Sequence, residues 1–388
     1  MKIRNVHLEN FRNHPLSDLE FGWSVNILQG KNGQGKTNII EAISCLCLTK
    51  SFYAPSDATL VRFGEEGFAV DGLLADDAGI EHRVRVAYSQ GSGEKVFAVN
   101  GIRTEKLSSV IGMFPVVILA PESNAITLGG PSDRRKFVDL VLSQLSRSYF
   151  DDLIEYRQVL RQRNRVLGEA KQGKTLRAEI LDPWSQNLAA YGARIVFRRA
   201  QFLREFTGYV TQSYADIVKT REEPGMQYAT VPAIEVNEPL DQIAEALLVE
   251  LREKQSEECR RGLSLVGPHR DDVVFQLNGV DLRKYASQGQ HKTFLIALKM
   301  AEFCYLKEKR EETPILLLDD VLSELDEDRS QRLLGHVTHL GQTVVTTTDG
   351  AAFGDTLRWG VEHRRFFVDG GTCKSTTIRN AQEATIGA

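Results

Sequence analysis

The sequence predicts an α/β fold interrupted by a mostly helical inserted subdomain. Short β-like runs alternate with turn signals over the first 120 residues, with one helix among them. Apolar residues then recur at helical spacing from 132 to about 204, and strand and turn signals return after Gly262. These observations predict three segments: an N-terminal α/β part at 1–130, the insertion at 131–261 and a C-terminal α/β part at 262–388.

The spacing of apolar residues and the turn residues on either side predict each element, taken here in chain order. The N-terminal part has predicted strands at 2–8, 24–28, 68–74, 82–88 and 96–99, and a predicted helix at 37–48. The insertion repeats apolar side chains at helical spacing, as in Phe137, Leu140, Val141 and Leu145. The C-terminal part has predicted strands at 273–277, 315–318 and 343–347.

Composition narrows the class of protein. The chain has 388 residues, 42% hydrophobic and 26% charged, which is ordinary for a globular protein of two or three domains. Its net charge of −4 gives no global sign of nucleic-acid binding. Five cysteines without a CxxC pair support neither a disulfide framework nor a zinc ribbon. Because no apolar run approaches the roughly 18 residues of a membrane span, we expect a cytoplasmic protein with no membrane partner.

Residues 30–37 read Gly-Lys-Asn-Gly-Gln-Gly-Lys-Thr and match GxxxxGK[ST] between a predicted strand and a predicted helix. Glycines let backbone N–H groups surround a phosphate, and the start of the helix adds partial positive charge. Lys36 is expected to reach the β and γ phosphates, and Thr37 to offer its hydroxyl to Mg²⁺. The alternative is a glycine-rich turn without a ligand.

The apolar run at 315–318 ends in Asp319 and Asp320. This pattern is typical of a buried parallel strand, which would deliver Asp319 to the Mg²⁺ beside the phosphates. Asp320 would then act as a general base that polarises water. Without the phosphate loop, a core strand capped by acidic turn residues would be the better interpretation.

Two further segments have a simple interpretation as helix caps. Ser287, Gln288, Gly289 and Gln290 precede an amphipathic helix, and a serine beside glycine at a helix start can also bind an anion. Residues 323–326, Ser-Glu-Leu-Asp, follow Asp320 and precede another helix.

In this order the four segments resemble the core of ABC-type ATPases: Walker A at 30–37, signature at 287–290, Walker B at 315–320 and D-loop at 323–326. In that superfamily the signature serine and glycine contact the γ-phosphate held by the other subunit's loop. The resemblance therefore implies ATP and Mg²⁺ as cofactors and a homodimer formed with ATP. It implies nucleotide contacts from Gly30, Lys31, Asn32, Gly33, Gln34, Gly35, Lys36, Thr37, Asn38, Ser287, Gln288, Gly289, Gln290, Asp326 and Thr348.

Residues 30–42 and the opening Leu-Glu-Asn-Phe-Arg-Asn at 8–13 are similar to the SMC-like branch of this superfamily, which adds Arg12 and Asn13 to the expected nucleotide contacts. Blocks at 120–122, 129–139, 156–167, 267–272 and 287–290 resemble the RecF family of bacterial recombination mediators. The implied fold is an ABC/SMC-like P-loop ATPase head with an inserted subdomain. Because the insertion has no sustained heptads, long coiled-coil arms are not expected.

The resemblance implies an ATP-dependent DNA-binding protein of recombinational repair and replication-fork restart. Such a protein helps RecR and RecO to load RecA at single-stranded gaps. A weak ATPase activity is implied, with DNA in duplex, gapped or junction form as the macromolecular ligand.

Basic residues are concentrated in the insertion. Residues 131–204 contain 15 Lys and Arg against 8 Asp and Glu, whereas 205–258 contain 4 against 12. A solvated helix face explains any single basic residue better than DNA binding does, and only the excess of basic residues favours DNA. Without aromatic residues at stacking spacing, contact with the backbone of duplex DNA is expected. The candidates are Arg134, Arg135, Lys136, Arg157, Arg161, Arg163, Arg165, Arg194, Arg198 and Arg199.

The sequence departs from the ABC pattern at two points. Walker B ends in Asp320 instead of Glu, and Thr348 stands where the switch histidine would be, although threonine cannot carry a proton at neutral pH. We therefore expect slow turnover, with hydrolysis releasing DNA. The Q-loop glutamine has no clear counterpart, and Glu122 occupies its neighbourhood.

Two other functions compete with DNA repair. A transporter subunit is disfavoured, because the chain lacks both an LSGGQ signature and the switch histidine. An ATP-gated scaffold that touches DNA only through a partner stays open, because the acidic segment 205–258 could dock a basic protein.

Overall fold

The computed structural model describes residues 1–172, 178–218, 221–231, 238–321, 327–348 and 360–376. The predicted D-loop, with Asp326, lies outside these residues. The chain forms two compact units, of which the first contains 1–123, 215–219 and 299–388 and the second contains 124–214 and 220–298.

The described residues form strands and helices in both units. The strands are β1 (Lys2–Phe11), β2 (His14–Glu20), β3 (Val25–Gln29), β4 (Gly67–Ala75), β5 (Glu81–Ser89), β6 (Glu94–Val99), β7 (Ile102–Arg103), β8 (Val116–Leu119), β9 (Pro224–Ala229), β10 (Asp272–Leu277), β11 (Val280–Asp281), β12 (Ile315–Leu318), β13 (Thr343–Thr347), β14 (Arg364–Asp369) and β15 (Thr372–Thr376). The helices are α1 (Lys36–Leu48), α2 (Asn124–Leu128), α3 (Pro131–Leu145), α4 (Arg147–Lys171), α5 (Ala178–Ile217), α6 (Leu240–Arg261), α7 (Leu282–Tyr285), α8 (Gln288–Arg310) and α9 (Glu327–Val337).

A mostly parallel sheet lies in the first unit, in the order β15-β14-β3-β13-β12-β8. Strands β8, β12, β13, β3 and β14 run parallel, and only β15 is antiparallel to its neighbour. All four residues of β12 are buried, which fits the continuous apolar run expected for a central parallel strand. Because ligands bind at the carboxyl ends of such strands, the segments that follow β3, β8, β12 and β13 define the edge to inspect.

A second sheet of the first unit is antiparallel, in the order β2-β1-β4-β5-β6-β7. Helix α1 contacts strands β1, β4 and β5 of this sheet and strands β8 and β13 of the parallel sheet. Eleven of its residues are buried, because it is covered by sheet on both sides. The helix that follows the phosphate loop is therefore firmly fixed.

The second unit is mostly helical. Helix α4 packs against α3 and α6, and a small sheet in the order β11-β10-β9 completes the unit. Helices α3, α4 and α5 account for the helical periodicity, so the predicted α/β fold with a mostly helical insertion is confirmed. Strand β9 lies inside the predicted insertion, where the helical period gave no sign of it.

The two compact units do not share their limits with the predicted segments. The second unit begins at Asn124 and extends to Leu298, so it includes the signature segment that the sequence analysis groups with the ATPase head. The compact units are defined by contacts within the folded chain. The domain boundaries at 130 and 261 are inferred from the sequence and stay a prediction.

Candidate functional site

The phosphate loop joins the end of β3 to the start of α1, as the sequence predicts. Gly33 and Gly35 have φ angles of 78° and 109°, in the left-handed region that strains any residue with a side chain. No side chain caps α1, so the first N–H groups of the helix keep their capacity to bind an anion. A glycine turn at the start of a helix is the geometry that binds phosphate.

Lys36 is held over the loop by carbonyl oxygens. Its Nζ donates to the carbonyl oxygens of Gly30 at 2.7 Å and Lys31 at 2.8 Å. Burial lowers the pKa of Lys36, and the carboxylates of Asp320 and Asp319 oppose that shift. The ammonium group therefore lies within the loop, where it can interact with a bound phosphate.

Asp319 meets the phosphate loop at the end of β12. Its Oδ1 accepts hydrogen bonds from the hydroxyls of Thr37 at 3.0 Å and Thr346 at 2.7 Å. Burial raises the pKa of Asp319, and the two hydroxyls oppose the shift. A buried carboxylate beside a threonine hydroxyl supplies the hard oxygen ligands that Mg²⁺ prefers, so these residues fit the metal that the loop implies.

Two more carboxyl groups lie at the same edge of the parallel sheet. Asp320 has a φ of 51°, unusual for a residue with a side chain, and its backbone N–H donates to Thr346 Oγ1 at 2.8 Å. Strained residues of this kind cluster at functional sites. Glu122 follows β8, and burial together with the carboxylates of Asp319 and Glu41 raises its pKa.

Asn13 and Arg12 connect the end of β1 to the loop and to α1. Asn13 Nδ2 donates to the Gln34 carbonyl at 3.0 Å, and Asn13 Oδ1 accepts from Asn38 Nδ2 at 2.7 Å. Arg12 instead makes two hydrogen bonds of 2.8 Å to the Glu41 carboxylate, which raise the pKa of Arg12. The predicted contact of Arg12 with a nucleotide stays a prediction.

The signature segment forms the start of α8 in the second unit. The Gln290 N–H donates to Ser287 Oγ at 3.2 Å, and the Ser287 N–H donates to Gln290 Oε1 at 2.8 Å. This reciprocal pair is a capping box, which is the simple interpretation of the sequence. Glu222 also accepts a 2.7 Å hydrogen bond from Gln290 Nε2. The contact with a partner subunit's nucleotide stays a prediction.

The remaining predicted nucleotide contacts are accessible. Lys31, Asn32 and Gln288 are exposed, and Gly289 is half-buried. Thr348 is exposed just beyond β13. None of these placements tests their proposed roles.

Three of the predicted DNA-binding arginines are buried and paired with carboxylates. Their guanidinium groups bind Asp272 (Arg134), Glu258 (Arg163) and Asp139 (Arg199), with shortest distances of 2.8, 2.6 and 2.8 Å. Arg134, Arg163 and Arg199 are 6%, 0% and 2% exposed. A side chain held in the interior cannot reach a DNA phosphate, so their prediction as DNA contacts does not agree with this structure. Arg135 is half-buried, and its Nη1 donates to the carbonyl of Asp271 at 2.5 Å.

The other six basic candidates are exposed on helices α3, α4 and α5. They are Lys136, Arg157, Arg161, Arg165, Arg194 and Arg198. Of these, three recur at every fourth position of α4, which places them on one face of the helix. We call the exposed side chains of Arg157, Arg161 and Arg165 the α4 stripe.

The segment 267–272, Gly-Pro-His-Arg-Asp-Asp, lies in a buried polar network of the second unit. Arg199 Nη1 donates to the Pro268 carbonyl at 2.7 Å, and the Tyr156 hydroxyl lies 2.6 Å from His269 Nδ1. Burial lowers the pKa of His269 to about 4 and raises that of Asp271 to about 6. This network fastens the helices of the second unit to β10.

Sequence reasoning missed three contributors to the phosphate site. Thr346 shares the Asp319 carboxylate with Thr37. His14 lies 3.1 Å from the Gly35 carbonyl, and Gly371 donates its N–H to the Gln34 carbonyl at 3.0 Å. The position of Thr346 in a predicted strand was the only available signal, because His14 and Gly371 belong to no motif.

Within the described ranges, no helix has both the length and the apolar character needed to cross a membrane.

The fold and the phosphate loop define an ABC/SMC-like P-loop ATPase head, and the family model described as RecF/RecN/SMC N terminal domain matches residues 2–358. The DNA replication and repair protein RecF of Chloroherpeton thalassium is 41% identical over 358 residues, which cover 92% of this chain and 97% of that protein. The protein of the same name from Salinibacter ruber is 39% identical, over 91% of this chain and 86% of that protein. The chain belongs to the RecF family.

Solved structures agree with this assignment. The recombination mediator protein RecF with ATP, of the RecFOR pathway, is 32% identical and has a TM-score of 0.89, with coverage of 96% of this chain and 97% of that one. The Smc head domain with an extended coiled coil from Pyrococcus furiosus has a TM-score of 0.57 at 13% identity, over 99% of this chain and 98% of that one. At that identity the likeness shows the fold alone.

Proposed function

We propose that this protein is an ATP-dependent DNA-binding protein of recombinational repair and replication-fork restart. The observation that carries the proposal is the hydrogen bond between Thr37 and Asp319, which joins the phosphate loop to the acidic end of β12 in a chain of the RecF family. A glycine loop, a lysine, a hydroxyl and a carboxylate in this arrangement are the parts that bind a nucleoside triphosphate with Mg²⁺.

Each side chain has a defined task in this proposal. Lys36 would exchange the carbonyls of Gly30 and Lys31 for phosphate oxygens. Thr37 and Asp319 would hold Mg²⁺, which would supply positive charge to the phosphates. Asp320 orients water at the same edge. Thr348 cannot accept a proton there, so a weak ATPase activity is expected.

The signature segment supports a homodimer that forms with ATP. The chain carries one phosphate loop and one signature, and Ser287 stands at the start of α8, where its hydroxyl caps the helix. In the proposed dimer the signature of each subunit meets the nucleotide bound by the other. Hydrolysis then separates the subunits and resets DNA binding.

DNA contact is proposed for the six exposed basic residues, which include the α4 stripe. Contacts of this type neutralise the DNA backbone and carry no sequence information. Duplex DNA with a gap or junction is the proposed ligand, and RecR is the proposed protein partner. Through RecR and RecO the complex would promote loading of RecA.

A scaffold that contacts DNA only through a partner is the second candidate. It is favoured by the burial of Arg134, Arg163 and Arg199, which removes three cations from the predicted DNA surface. The acidic excess at 205–258 would suit a basic protein partner.

The deciding experiment is fluorescence anisotropy with a duplex that contains a single-stranded gap, with and without ATP and Mg²⁺, at several salt concentrations. We expect the wild type to bind only with ATP and to lose affinity steeply with salt. Lys36→Ala should weaken ATP binding by a factor of about ten to a hundred, because a charge-assisted interaction is lost. Lys254→Ala, which changes an exposed lysine of α6, is the control.

Binding that is absent, or indifferent to ATP, would contradict DNA binding by an ATP-dependent dimer and favour the scaffold. Fast phosphate release without DNA would contradict the slow ATPase.

A further inference from the structure

The turn between β14 and β15 lies directly against the phosphate loop. The N–H of Gly371 donates to the carbonyl of Gln34 at 3.0 Å, and the N–H of Gly370 donates to Gln34 Oε1 at 2.7 Å. Gln34 is the residue between the two left-handed glycines of the loop. Two backbone donors from the hairpin therefore fix both the main chain and the side chain of the loop at its most constrained point.

His14 contacts the phosphate loop at Gly35, the residue after Gln34. Its Nε2 lies 3.1 Å from the Gly35 carbonyl, so this nitrogen must carry a proton to make the bond. Ser17 Oγ lies 2.9 Å from His14 Nδ1 and 3.2 Å from the Gly371 carbonyl. Both side chains are buried. Because a hydroxyl has one proton, Ser17 donates either to His14 Nδ1 or to the Gly371 carbonyl, and it lies between the two groups in both cases.

Close backbone approach makes these contacts depend on glycine. A Cβ atom built on Gly371 would lie 2.1 Å from the Asn13 carbonyl oxygen, and one on Gly30 would lie 2.3 Å from the Val368 carbonyl oxygen. Neither oxygen can move easily, since both belong to the main chain. Any side chain at Gly371 would therefore push the hairpin away from the loop.

We infer that the turn at Gly370 and Gly371, together with His14, holds the phosphate loop in the shape that binds ATP. These residues are positioning residues, because none of them is proposed to touch the nucleotide. The turn lies beyond residue 358, where the family model ends, so the residues that position the loop include ones outside the matched range. The inference rests on the proposed ATP binding at this loop.

The energetic coupling between the docked hairpin and nucleotide binding must act in both directions. If the hairpin favours the binding shape of the loop, then bound nucleotide favours the docked hairpin by the same factor. ATP should accordingly slow hydrogen exchange of the amides of Gly370 and Gly371 in the wild type.

The test compares two glycine substitutions in the full chain. Gly371→Ala should weaken ATP binding by about tenfold, a typical coupling factor, and raise the KM for ATP more than it lowers kcat. Gly101→Ala is the matched control: Gly101 has a φ of 79° against 76° for Gly371, but its Cβ would meet nothing within 4 Å. Its ATP affinity should stay within about twofold of the wild type, since distant sites act independently.

Ser17→Ala is a second variant with a smaller structural change. It tests the inference even if Gly371→Ala does not fold, as judged by the absence of a cooperative melting transition. It removes the hydroxyl between His14 and Gly371, and should weaken ATP binding by about threefold, as expected for one lost hydrogen bond. Wild-type affinity in both Gly371→Ala and Ser17→Ala, alongside lost binding in Lys36→Ala, would overturn the inference and leave the proposed function intact. A wild type that binds no ATP would overturn both.

Discussion

Arg161 and Arg163 lie two positions apart on α4 and have opposite surroundings. Residues at this spacing point to different sides of a helix. Arg161 is exposed, whereas Arg163 is 0% exposed and bonds to Glu258, also 0% exposed, at 2.6 Å. Arg163 also donates to the hydroxyls of Ser185 and Ser264. The Arg163 guanidinium group is therefore fully engaged by partners within the second unit.

Arg163→Ala should lower the free energy of unfolding by about 3 to 5 kcal/mol, because it leaves the buried carboxylate of Glu258 without its partner. Arg161→Ala should change it by no more than about 0.5 kcal/mol, as an exposed site. Urea unfolding of both variants measures the difference. If Arg163→Ala kept wild-type stability and lost only DNA binding, the interior ion pair described here would be contradicted.

His269 is held neutral in the polar network of the second unit. Burial lowers its pKa from 6.5 to about 4, and the neighbouring cations Arg270 and Arg135 add to the effect. In the window between these values the unfolded chain binds a proton that the folded chain does not. The stabilising contribution of neutral His269 is thus present above pH 6.5 and lost as pH falls towards about 4.

The measurement is the free energy of unfolding of the wild type and His269→Gln at several pH values. Relative to the variant, the wild type should lose about 2 to 3 kcal/mol between pH 7 and pH 4.5. Asp271, whose pKa burial raises to about 6, contributes the opposite slope and cancels in this comparison because both proteins carry it. A constant difference across the pH range would show that His269 is not buried neutral.

At the scale of elements, prediction from sequence succeeded where the pattern is local. The segments 315–318 and 343–347 are strands with the predicted bounds. The first is a continuous apolar run, as expected for a central parallel strand, and the second consists of the β-branched residues threonine and valine, which favour strands. The phosphate loop was predicted for a similar reason, since its glycines, lysine and threonine are contiguous. Strands β14 and β15 were missed: β14 joins the sheet by pairing with the distant β3, and β15 joins it only through its hairpin with β14.

The site was predictable only for residues that belong to a motif. Asp319 was expected beside Thr37, and the hydrogen bond between them is present. Thr346 and Gly371 come from other parts of the chain and meet the loop only in the folded sheet. The sequence also does not reveal which basic side chains are buried, and for that reason Arg134 and Arg199 were grouped with exposed cations.

The α4 stripe gives a prediction for the whole helix face. Replacing Arg157, Arg161 and Arg165 by Gln should reduce the slope of log K against log salt by about two to three, since each phosphate contact contributes about 0.9. Arg85→Gln with Arg103→Gln, exposed arginines of the antiparallel sheet, is the control. An unchanged slope, measured by anisotropy with ATP, would exclude the stripe from the DNA surface.

At the scale of the whole molecule, the proposed dimer can be tested by complementation. Ser287→Arg should bind ATP yet stay monomeric, because the signature is blocked, and Lys36→Ala should also stay monomeric. A mixture should form heterodimers, in which the intact loop of one chain meets the intact signature of the other. Sedimentation velocity with ATP measures all three samples.

Ser287→Arg also removes a helix cap, which costs about 1 kcal/mol. Ser146→Arg is the matched control, because Ser146 caps α4 in the same way. If the control failed to dimerise as well, general destabilisation would explain the result. If Ser146→Arg dimerises but the mixture of Ser287→Arg and Lys36→Ala does not, the result contradicts a dimer in which each signature meets the other subunit's nucleotide.

The placement of β3 has a consequence for synthesis of the protein on the ribosome. Strand β3 and helix α1 lie within residues 25–48, but the strands on either side of β3 are β13 and β14, which end at residues 347 and 369. The nascent chain must therefore carry β3 with unpaired edges until β13 and β14 have been translated. Long-range pairing of this kind is slow and exposes the chain to aggregation. The contacts of the phosphate loop with Asp319 and with the turn at Gly370 and Gly371 also form only after those later parts of the chain have been made.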